Sequence, residues 1–378
     1  MEQLIILEKF TQPFAKTCIY KLHKLEVKFI MRKLALITLT LLNMSCGNND
    51  DMSEPTNSNS PTNSNSIDVY VSGQKDGHAT YWENNNEITL DNSSFSYSNA
   101  NKISVQNSNI YVFGTGNLGI NDFAFLFWKN GIIMNLNDEF QELEYEVDLI
   151  TDMFIVGEDE YFLGYLKSIS DPITYDLVYW KNGIKTIVLE NCIFKHLQST
   201  LKVVDNNIYV FSRNQNNKYG VFINNFFNLS DEMYLPFGLV VNEDEVYLHG
   251  RNFVDGTGFY KNLITNVETV NDQPILKMAF DESDVYKMIN HVDTNPFSSR
   301  REIMKNDESY YISPEGFESH IVDLKVVNGN VYTIVRELTF GNSGPNKLLI
   351  NNDAELILDV NSSTSSINFL NSVYIVEN

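Results

Sequence analysis

The segment Ile110-Tyr111-Val112-Phe113-Gly114 is followed in this chain by Phe127-Trp128-Lys129-Asn130-Gly131. Aromatic and β-branched residues dominate both segments, which is typical of β-strands. The Asn-Gly pair that ends the second segment favours a type I′ turn, because both central residues of that turn need positive φ. The two segments therefore predict two strands, the second of which enters a tight hairpin.

Both elements recur along the rest of the chain. An apolar-Tyr element of strand type returns at intervals of 38 to 50 residues, by subtraction of residue numbers, at Tyr70, Tyr111, Tyr161, Tyr209, Tyr247, Tyr286, Tyr332 and Tyr374. A short apolar run that ends in asparagine follows each of the first seven, at Asn84, Asn130, Asn182, Asn225, Asn262, Asn306 and Asn352. A tight turn also precedes the tyrosine element, as in Val326-Val327-Asn328-Gly329-Asn330. Each repeat is interpreted as four strands, a to d, with tight a–b and c–d turns and longer b–c and d–a loops.

Repeats of about 44 residues with four antiparallel strands each are the signature of a β-propeller blade. We predict an all-β fold, a β-propeller of seven four-stranded blades over residues 67–378, with six or eight blades as alternatives. The C-terminal strands are expected to close the ring, with Ile367-Asn368-Phe369-Leu370 as strand a of the first blade. The final apolar stretch, Val373 to Val376, then has no assigned place.

The Tyr-Val-x-Gly element followed by Tyr179-Trp180-Lys181-Asn182-Gly183 resembles propeller-type surface lipoproteins of Bacteroidetes that carry Tyr-Trp-Lys-Asn-Gly repeats. The resemblance covers most of residues 67–378. It is strongest in the first three repeats, which hold Trp82, Trp128 and Trp180. It implies an exported propeller that is anchored by lipid.

An export signal precedes the repeats. A basic start, Met31-Arg32-Lys33, leads into an apolar run from Leu34 to Leu42 and then Ser45-Cys46. The run is shorter than the roughly 20 residues that a membrane-spanning helix needs. A cysteine directly after such a run resembles the lipobox of bacterial lipoproteins, whose cysteine is diacylated and becomes the new N-terminus. Asn43 stands where that family prefers leucine. We expect lipidation at Cys46; an ordinary secretory signal that is cut nearby is the alternative.

The chain thus divides into four segments. Residues 1–30 are an upstream extension, with Met31 as the preferred start and a cytoplasmic extension as the competing interpretation. Residues 31–45 form the lipoprotein signal peptide, and residues 46–66 form a polar tether with Pro-Thr-Asn-Ser-Asn-Ser twice in tandem. Residues 67–378 form the propeller. The expected location is the bacterial outer membrane or cell surface, lipid-anchored, and otherwise the periplasm.

The charge of the chain limits its partners. Asp plus Glu number 49 and Lys plus Arg number 27, a formal charge of -22. Residues 1–45 hold seven of the basic and three of the acidic residues, so their removal leaves 20 against 46, or -26. Such acidity repels phosphate backbones and argues against a nucleic-acid partner. Beyond Cys46 the exported part has one cysteine, Cys192, which lies in an apolar stretch and is expected to fill core space.

Candidate ligand-binding residues lie at the b–c and d–a loops, because variable loops on a rigid scaffold usually carry function. The exported part has five arginines, all placed after a b strand or in a b–c loop of repeats four to seven, and three histidines occupy equivalent segments: Arg213, Arg251, Arg300, Arg301, Arg336, His78, His249 and His291. In so acidic a chain this set is a candidate patch for a carboxylate, sulfate or uronic acid. The alternative is that loops simply favour exposed charged side chains.

No cofactor, metal site or catalytic residue is predicted. Gly114 to Gly119 matches the dinucleotide fingerprint, but a strand follows it instead of the helix that would receive a pyrophosphate. No histidine lies three or four residues from another, which is the usual spacing of metal ligands.

Two functions remain open. The favoured one is a monomeric, membrane-anchored binding module that meets a glycan, peptide or protein at the loops. The alternative is a secreted carbohydrate-active hydrolase or lyase with acidic residues around the central channel.

Overall fold

The computed structural model describes residues 66–378 except 93, 120–121, 172, 230–233, 292–299, 315–317, 340–341 and 359–367. The export signal and Cys46 lie outside the described residues, so the lipid anchor stays a prediction. The described chain forms seven four-stranded antiparallel sheets, and the predicted β-propeller is confirmed. No helix in the described part is long and apolar enough to cross a membrane.

The sheets are numbered blades I to VII, and the four strands of each are given in the order a, b, c, d. Blade I consists of β28 (Phe369–Glu377), β1 (Ile67–Lys75), β2 (His78–Glu83) and β3 (Asn86–Thr89). Blade II consists of β4 (Tyr97–Gln106), β5 (Asn109–Gly119), β6 (Asp122–Lys129) and β7 (Ile132–Asn135). Blade III consists of β8 (Tyr145–Val156), β9 (Asp159–Ser168), β10 (Tyr175–Lys181) and β11 (Ile184–Cys192). A four-residue helix, α1 (Leu136–Glu139), links blades II and III.

Blade IV consists of β12 (Thr200–Val204), β13 (Asn207–Arg213), β14 (Tyr219–Ile223) and β15 (Phe226–Leu229), and blade V of β16 (Tyr234–Asn242), β17 (Glu245–Asn252), β18 (Gly258–Asn262) and β19 (Glu268–Asn271). Blade VI consists of β20 (Lys277–Asp281), β21 (Asp284–Asn290), β22 (Arg301–Lys305) and β23 (Glu308–Ile312). Blade VII consists of β24 (Glu318–Val327), β25 (Asn330–Thr339), β26 (Asn342–Ile350) and β27 (Asp353–Leu358).

The a strands stand side by side around a central channel. Each contacts the a strand of the next blade, in the order β4, β8, β12, β16, β20, β24, β28 and back to β4. Because strands alternate in direction within a blade, the a–b and c–d turns lie on one side of the ring, the turn face. The b–c and d–a connections lie on the other, the loop face.

The C-terminal strand closes the ring, as predicted, but not with the residues predicted. One continuous strand, β28, pairs antiparallel with β1, with Val373 opposite Val71. Val373 to Val376 is therefore the body of strand a of blade I and not an unplaced strand. Phe369 and Leu370 only begin that strand, and Ile367 lies outside the described residues. Tyr374 accordingly belongs to an a strand, unlike the other seven tyrosines of the series.

An asparagine side chain locks the c–d turn to strand b in six blades. We call this arrangement the asparagine bracket; its central residues are Asn84, Asn130, Asn182, Asn224, Asn306 and Asn351. Each has positive φ, which asparagine tolerates better than most residues. Its Oδ1 accepts from the backbone N–H of a residue near the start of strand b. Its Nδ2 donates to the side chain of the Asp or Asn that directly precedes that residue in strand b.

The structure corrects three of the predicted turn asparagines. In blades IV and VII the bracket is formed by Asn224 and Asn351, and the predicted Asn225 and Asn352 are the second positive-φ residues of those turns. In blade V, Asn262 forms no bracket. Its buried side chain accepts from the N–H groups of Ile264 and Thr265 and shapes a longer loop.

The core lies between successive blades. Trp128 packs with residues of blades I and II, Trp180 with blades II and III, and Trp82 with blades I and VII. All three tryptophans are at most 2% exposed, so they bind neighbouring blades together and do not form a sugar-stacking surface. Cys192 is buried, as expected of a core filler, and burial raises its thiol pKa to about 11.

Candidate functional site

A β-bulge in strand a aims side chains into the central channel. The a–b pairing shifts register after Ala100, Ile150, Pro236 and Ile321. The residues that follow the shift include Lys102, Asp152 and Asp323. A bulge inserts an extra residue and redirects the side chains next to it. Strand b accommodates the bulge with glycine: a Cβ on Gly114 would lie 2.0 Å from the carbonyl oxygen of Asn99.

Alternation along the a strands places two layers of side chains around the channel. The layer nearer the loop face consists of Lys102, Asp152, Thr200, Gly238, Lys277, Asp323 and Ser372. The first six lie four residues before the end of their a strands, and Ser372 lies five residues before the end of β28. The layer nearer the turn face, two residues further on, consists of Ser104, Phe154, Lys202, Val240, Ala279, Lys325 and Tyr374. Most of these residues line one cavity of about 440 Å³.

Asp152 joins three consecutive blades in the first layer. Its Oδ1 is 2.5 Å from Nζ of Lys102 in blade II, and its Oδ2 accepts from the backbone N–H of Leu201 in blade IV at 2.9 Å. Burial raises the pKa of Asp152, but the charges of Lys102 and Lys202 outweigh burial and hold it below its usual value. The carboxylate is therefore ionised at neutral pH.

Asp323 repeats this arrangement across the ring. Its Oδ1 is 3.5 Å from Nζ of Lys277 in blade VI, and its Oδ2 accepts from the backbone N–H of Val373 in blade I at 3.0 Å. The hydroxyl of Ser372 also donates to Oδ2, at 3.2 Å. Burial raises the pKa of Asp323 and the neighbouring lysines Lys277 and Lys325 lower it, with a net decrease.

The second layer contains cations and no carboxylate. Nζ of Lys202 lies 4.9 Å from the ring centroid of Phe154. Burial in the channel wall and the charge of Lys102 lower the pKa of Lys202 to about 7, against the opposing charge of Asp152. Lys325 is exposed to the cavity in the same layer.

His249 is the one predicted site residue that borders the channel. It lies on strand b of blade V, opposite Gly238, whose missing side chain leaves the imidazole at the cavity wall. Its Nδ1 lies 3.0 Å from the carbonyl oxygen of Ile275, so Nδ1 carries the proton. Burial lowers the pKa of His249 to about 4. The ring is therefore neutral at pH 7, with Nε2 as an acceptor.

The five arginines sit on four consecutive blades at the loop-face ends of their strands. Arg213 contacts residues of its own blade, whereas Arg336 of blade VII also lies 4.6 Å from the ring centroid of Phe369 in blade I. The guanidinium of Arg213 lies 4.3 Å from the ring centroid of Tyr219 and donates to Asn217, whereas Nε of Arg336 donates to Asn346. Burial lowers the pKa of Arg336. Arg251 lies over the Phe253 ring.

The remaining predicted residues are distributed over blades I and VI. The backbone carbonyl of Arg300 accepts from His291, and the backbone N–H of Arg301 donates to Ser313. The imidazole Nδ1 of His291 lies 2.8 Å from Oε2 of Glu302. His78 is exposed at the start of β2. No group of three His, Cys, Asp or Glu able to hold a metal ion occurs in the part of the chain that the structure describes.

The loop face also exposes large apolar side chains around blade III. We call this set the blade III rim: Leu143, Ile169, Ile173, Ile193, Phe194 and Leu197. Their exposed fractions lie between 51% and 74%. Within blade III, the N–H of Ile169 donates to the carbonyl of Glu144 at 3.0 Å, which extends the β8–β9 pairing and brings the chain at Ile169 close to Leu143. At its other end, the buried His196 ring packs edge-on against Phe211 and Tyr219, beside Leu197.

Sequence reasoning missed both the channel lysines and the blade III rim. The four lysines lie on four separate strands, so no local motif joins them. Counting back two and four residues from each a–b turn would have found them, because this count selects the residues on one face of strand a.

No protein-family model matches this chain, and no curated protein matches it. Solved propellers do resemble its structure. The β-propeller domain of the Trilobed protease from Pyrococcus furiosus is 10% identical, covers 70% of this chain and 84% of its own, and has a TM-score of 0.45. A putative 6-phosphogluconolactonase from Bacteroides fragilis is 10% identical over 85% of this chain and 100% of its own, with a TM-score of 0.42. An acylaminoacyl peptidase from Pyrococcus horikoshii is 11% identical over 71% of this chain and 48% of its own, with a TM-score of 0.41. At such identities and scores the similarity assigns no activity.

Proposed function

We propose that this protein is an exported, lipid-anchored binding module that recognises a protein partner through the loop face, with the blade III rim at the centre of the contact. The observation that carries the proposal is the exposure of six large apolar side chains around one blade. Monomeric soluble proteins rarely expose contiguous apolar patches of this kind unless the patch binds something.

The chemistry of the rim favours a protein over a glycan. Sugars are held by stacking aromatic rings and polar groups, whereas five of the six rim residues are aliphatic. Arg213 and Tyr219, residue types that often dominate protein interfaces, lie beside the rim. The exposed carboxylates of Glu144, Asp171 and Glu190 surround the rim, so the expected partner presents an apolar surface with basic residues at its edge.

A site-specific photo-crosslinker tests the docking surface in the native cell. Placed at Leu197, the crosslinker should yield a discrete adduct, and Phe194→Asp should abolish that adduct. The matched control is the same crosslinker at Phe226, which is 78% exposed on the turn face and should yield none. Equal yields at the two positions would contradict the proposal.

The lipid anchor has a separate test. Radiolabelled palmitate should enter the full chain and not its Cys46→Ala variant, and the unlabelled variant should leave the membrane fraction. If the Cys46→Ala variant still incorporated labelled palmitate, the lipid would be attached at a residue other than Cys46. The five arginines and three histidines remain a proposed second patch for acidic groups; a quintuple arginine-to-glutamine variant that kept full partner affinity would remove it.

The alternative, a carbohydrate-active hydrolase, requires one protonated carboxyl group at the channel to act as general acid. Both channel aspartates are ion-paired and have lowered pKa values, which favours binding over acid catalysis by this pair. Turnover of a glycan by the purified chain, lost in Asp152→Asn or Asp323→Asn, would favour the enzyme instead.

A further inference from the structure

The central channel is cationic in a strongly acidic protein. Its two layers contain four lysines and two aspartates, a difference of two positive charges, whereas the whole chain has a formal charge of -22. The first layer is balanced, because Lys102 pairs with Asp152 and Lys277 pairs with Asp323. The excess charge therefore belongs to the second layer.

Lys202 and Lys325 lie opposite each other in that second layer. They come from blades IV and VII, and three blades is the largest separation that a ring of seven allows. Both line the same 440 Å³ cavity. Asp152 and Asp323 offset this charge only in part, because each carboxylate already pairs with a lysine of the first layer and accepts a hydrogen bond from the backbone of the next blade.

Two lysines without matching carboxylates in one channel destabilise the fold. Desolvation and mutual repulsion disfavour the charged forms, and apolar residues at these positions would avoid both effects. The other members of the layer, such as Val240 and Ala279, show that apolar residues are compatible with the channel wall. A bound anion would replace the repulsion between the two ammonium groups by attraction, because each of them attracts the anion.

We propose that the channel binds a small hydroxylated oxyanion, with its carboxylate or phosphate held between Lys202 and Lys325 and a hydroxyl group donated to Nε2 of His249. The neutral imidazole supplies the hydroxyl specificity, since its Nδ1 proton is committed to Ile275 and only an acceptor faces Gly238. A cavity of about 440 Å³ is within the usual range of roughly 300–1,000 Å³ for small-molecule sites.

Isothermal titration calorimetry on the purified full chain tests the site at low ionic strength. The probes are glucuronate, inorganic phosphate and glucose, which separate a hydroxylated carboxylate, a phosphate and a neutral sugar. We expect glucuronate or phosphate to bind with one site per chain and glucose not to bind. The titration extends to ~10 mM anion, so that a dissociation constant in the millimolar range is still detected. If neither anion binds by that concentration, the proposal is overturned.

Charge-removing variants locate the binding. Lys202→Gln with Lys325→Gln should weaken anion affinity at least 10-fold, whereas Lys261→Gln, on strand c of blade V and away from the channel, should leave affinity unchanged. Circular dichroism and thermal melting confirm that each variant is folded. Unchanged affinity in the double variant, or an equal loss in the control, would overturn the channel site.

Proton uptake on anion binding distinguishes a binding role of Lys202 from a purely structural one. The groups facing Lys202 are Lys102, Asp152, Asp323 and Lys325, together with the Phe154 ring. An anion raises the proton affinity of Lys202, so binding at pH 8 should take up protons from the buffer and weaken as pH rises. Titrations in two buffers of different ionisation enthalpy measure that uptake. Zero uptake, or uptake that persists in Lys202→Gln, would contradict the role assigned to Lys202.

Discussion

Oδ1 of Asn130 accepts a hydrogen bond from the backbone N–H of Ile110 at 2.8 Å. In the same side chain, Nδ2 donates to Asn109 at 2.8 Å, while the backbone N–H of Asn130 donates to the carbonyl of Ile110. One residue with φ of 51° therefore ties the c–d turn to the start of strand b. Six of seven blades repeat this bracket, which explains why asparagine recurs at this position.

Replacing Asn130 by glycine keeps the positive φ accessible but removes both side-chain hydrogen bonds. We expect Asn130→Gly to lower the free energy of unfolding by about 1–2 kcal/mol, measured by urea denaturation. Asn107→Gly is the matched control: Asn107 has φ of 50°, and only its backbone carbonyl takes part in a hydrogen bond that the structure describes. Equal effects of the two substitutions would show that backbone conformation alone accounts for the asparagine.

The inter-blade role of Asp152 predicts an acid-sensitive contribution to stability. Asp152→Asn leaves Lys102 without its carboxylate, which should cost about 3 kcal/mol at pH 7. The folded-state pKa of Asp152 lies below its usual 3.8, so its stabilisation is present above that value and is lost as pH falls through the folded pKa. The difference from wild type should shrink between pH 7 and pH 3 in urea denaturation.

Glu87→Gln is the control for this substitution, because Glu87 pairs with Lys75 at the surface, where both side chains are about one-third exposed. Surface pairs contribute roughly 0–1 kcal/mol. A similar cost for both substitutions, or a cost at Asp152 that did not change with pH, would contradict the proposed link between blades.

Local chemistry explains what could be predicted from the sequence. The Asn-Gly turns and the apolar-Tyr strands are signals within a few residues, so blade number and strand order followed from their repetition. Asn225 and Asn352 were misassigned because two adjacent asparagines both adopt positive φ, and only the hydrogen bonds distinguish them.

The channel could not be predicted in the same way. Lys102 and Asp152 are 50 residues apart, and their contact depends on bulges in β4 and β8 that no turn motif announces. The arginines stood out in the sequence because they are few, but Arg213 and Arg336 donate hydrogen bonds to asparagines of their own blades and do not line the channel. The position of a residue relative to the a–b turn therefore predicts which side chains line the channel, whereas the rarity of arginine does not.

The burial of Lys202 in the channel wall destabilises the fold, so its removal should stabilise the protein. The pKa of Lys202 is about 7 when folded against a usual value of 10.5, so folding expels its proton between these pH values. Wild-type stability should therefore rise with pH through this window, and the full penalty applies below pH 7. Lys202→Met should exceed wild type by at least about 1 kcal/mol at pH 6.

Urea denaturation at pH 6, 8 and 10 measures this effect, with Lys261→Met as the control. The advantage of Lys202→Met should decrease steadily with pH and be smallest at pH 10, because the wild-type side chain is then neutral in the folded state and partly deprotonated when unfolded. A stability gain independent of pH would assign the effect to apolar packing and not to charge.

The closing strand predicts a contrast within β28. Val373 is fully buried opposite Val71, and its N–H donates to Asp323, whereas Val376 is only partly buried in the same strand. Val373→Ala should lower the free energy of unfolding by about 2 kcal/mol and Val376→Ala by less than about 1 kcal/mol. Amide hydrogen exchange should quicken in β28 and β1 of the Val373 variant before it quickens in blade IV, since the ring opens where its two chain ends meet. Uniform acceleration in all blades, or equal costs at the two valines, would contradict a closure that depends on this strand.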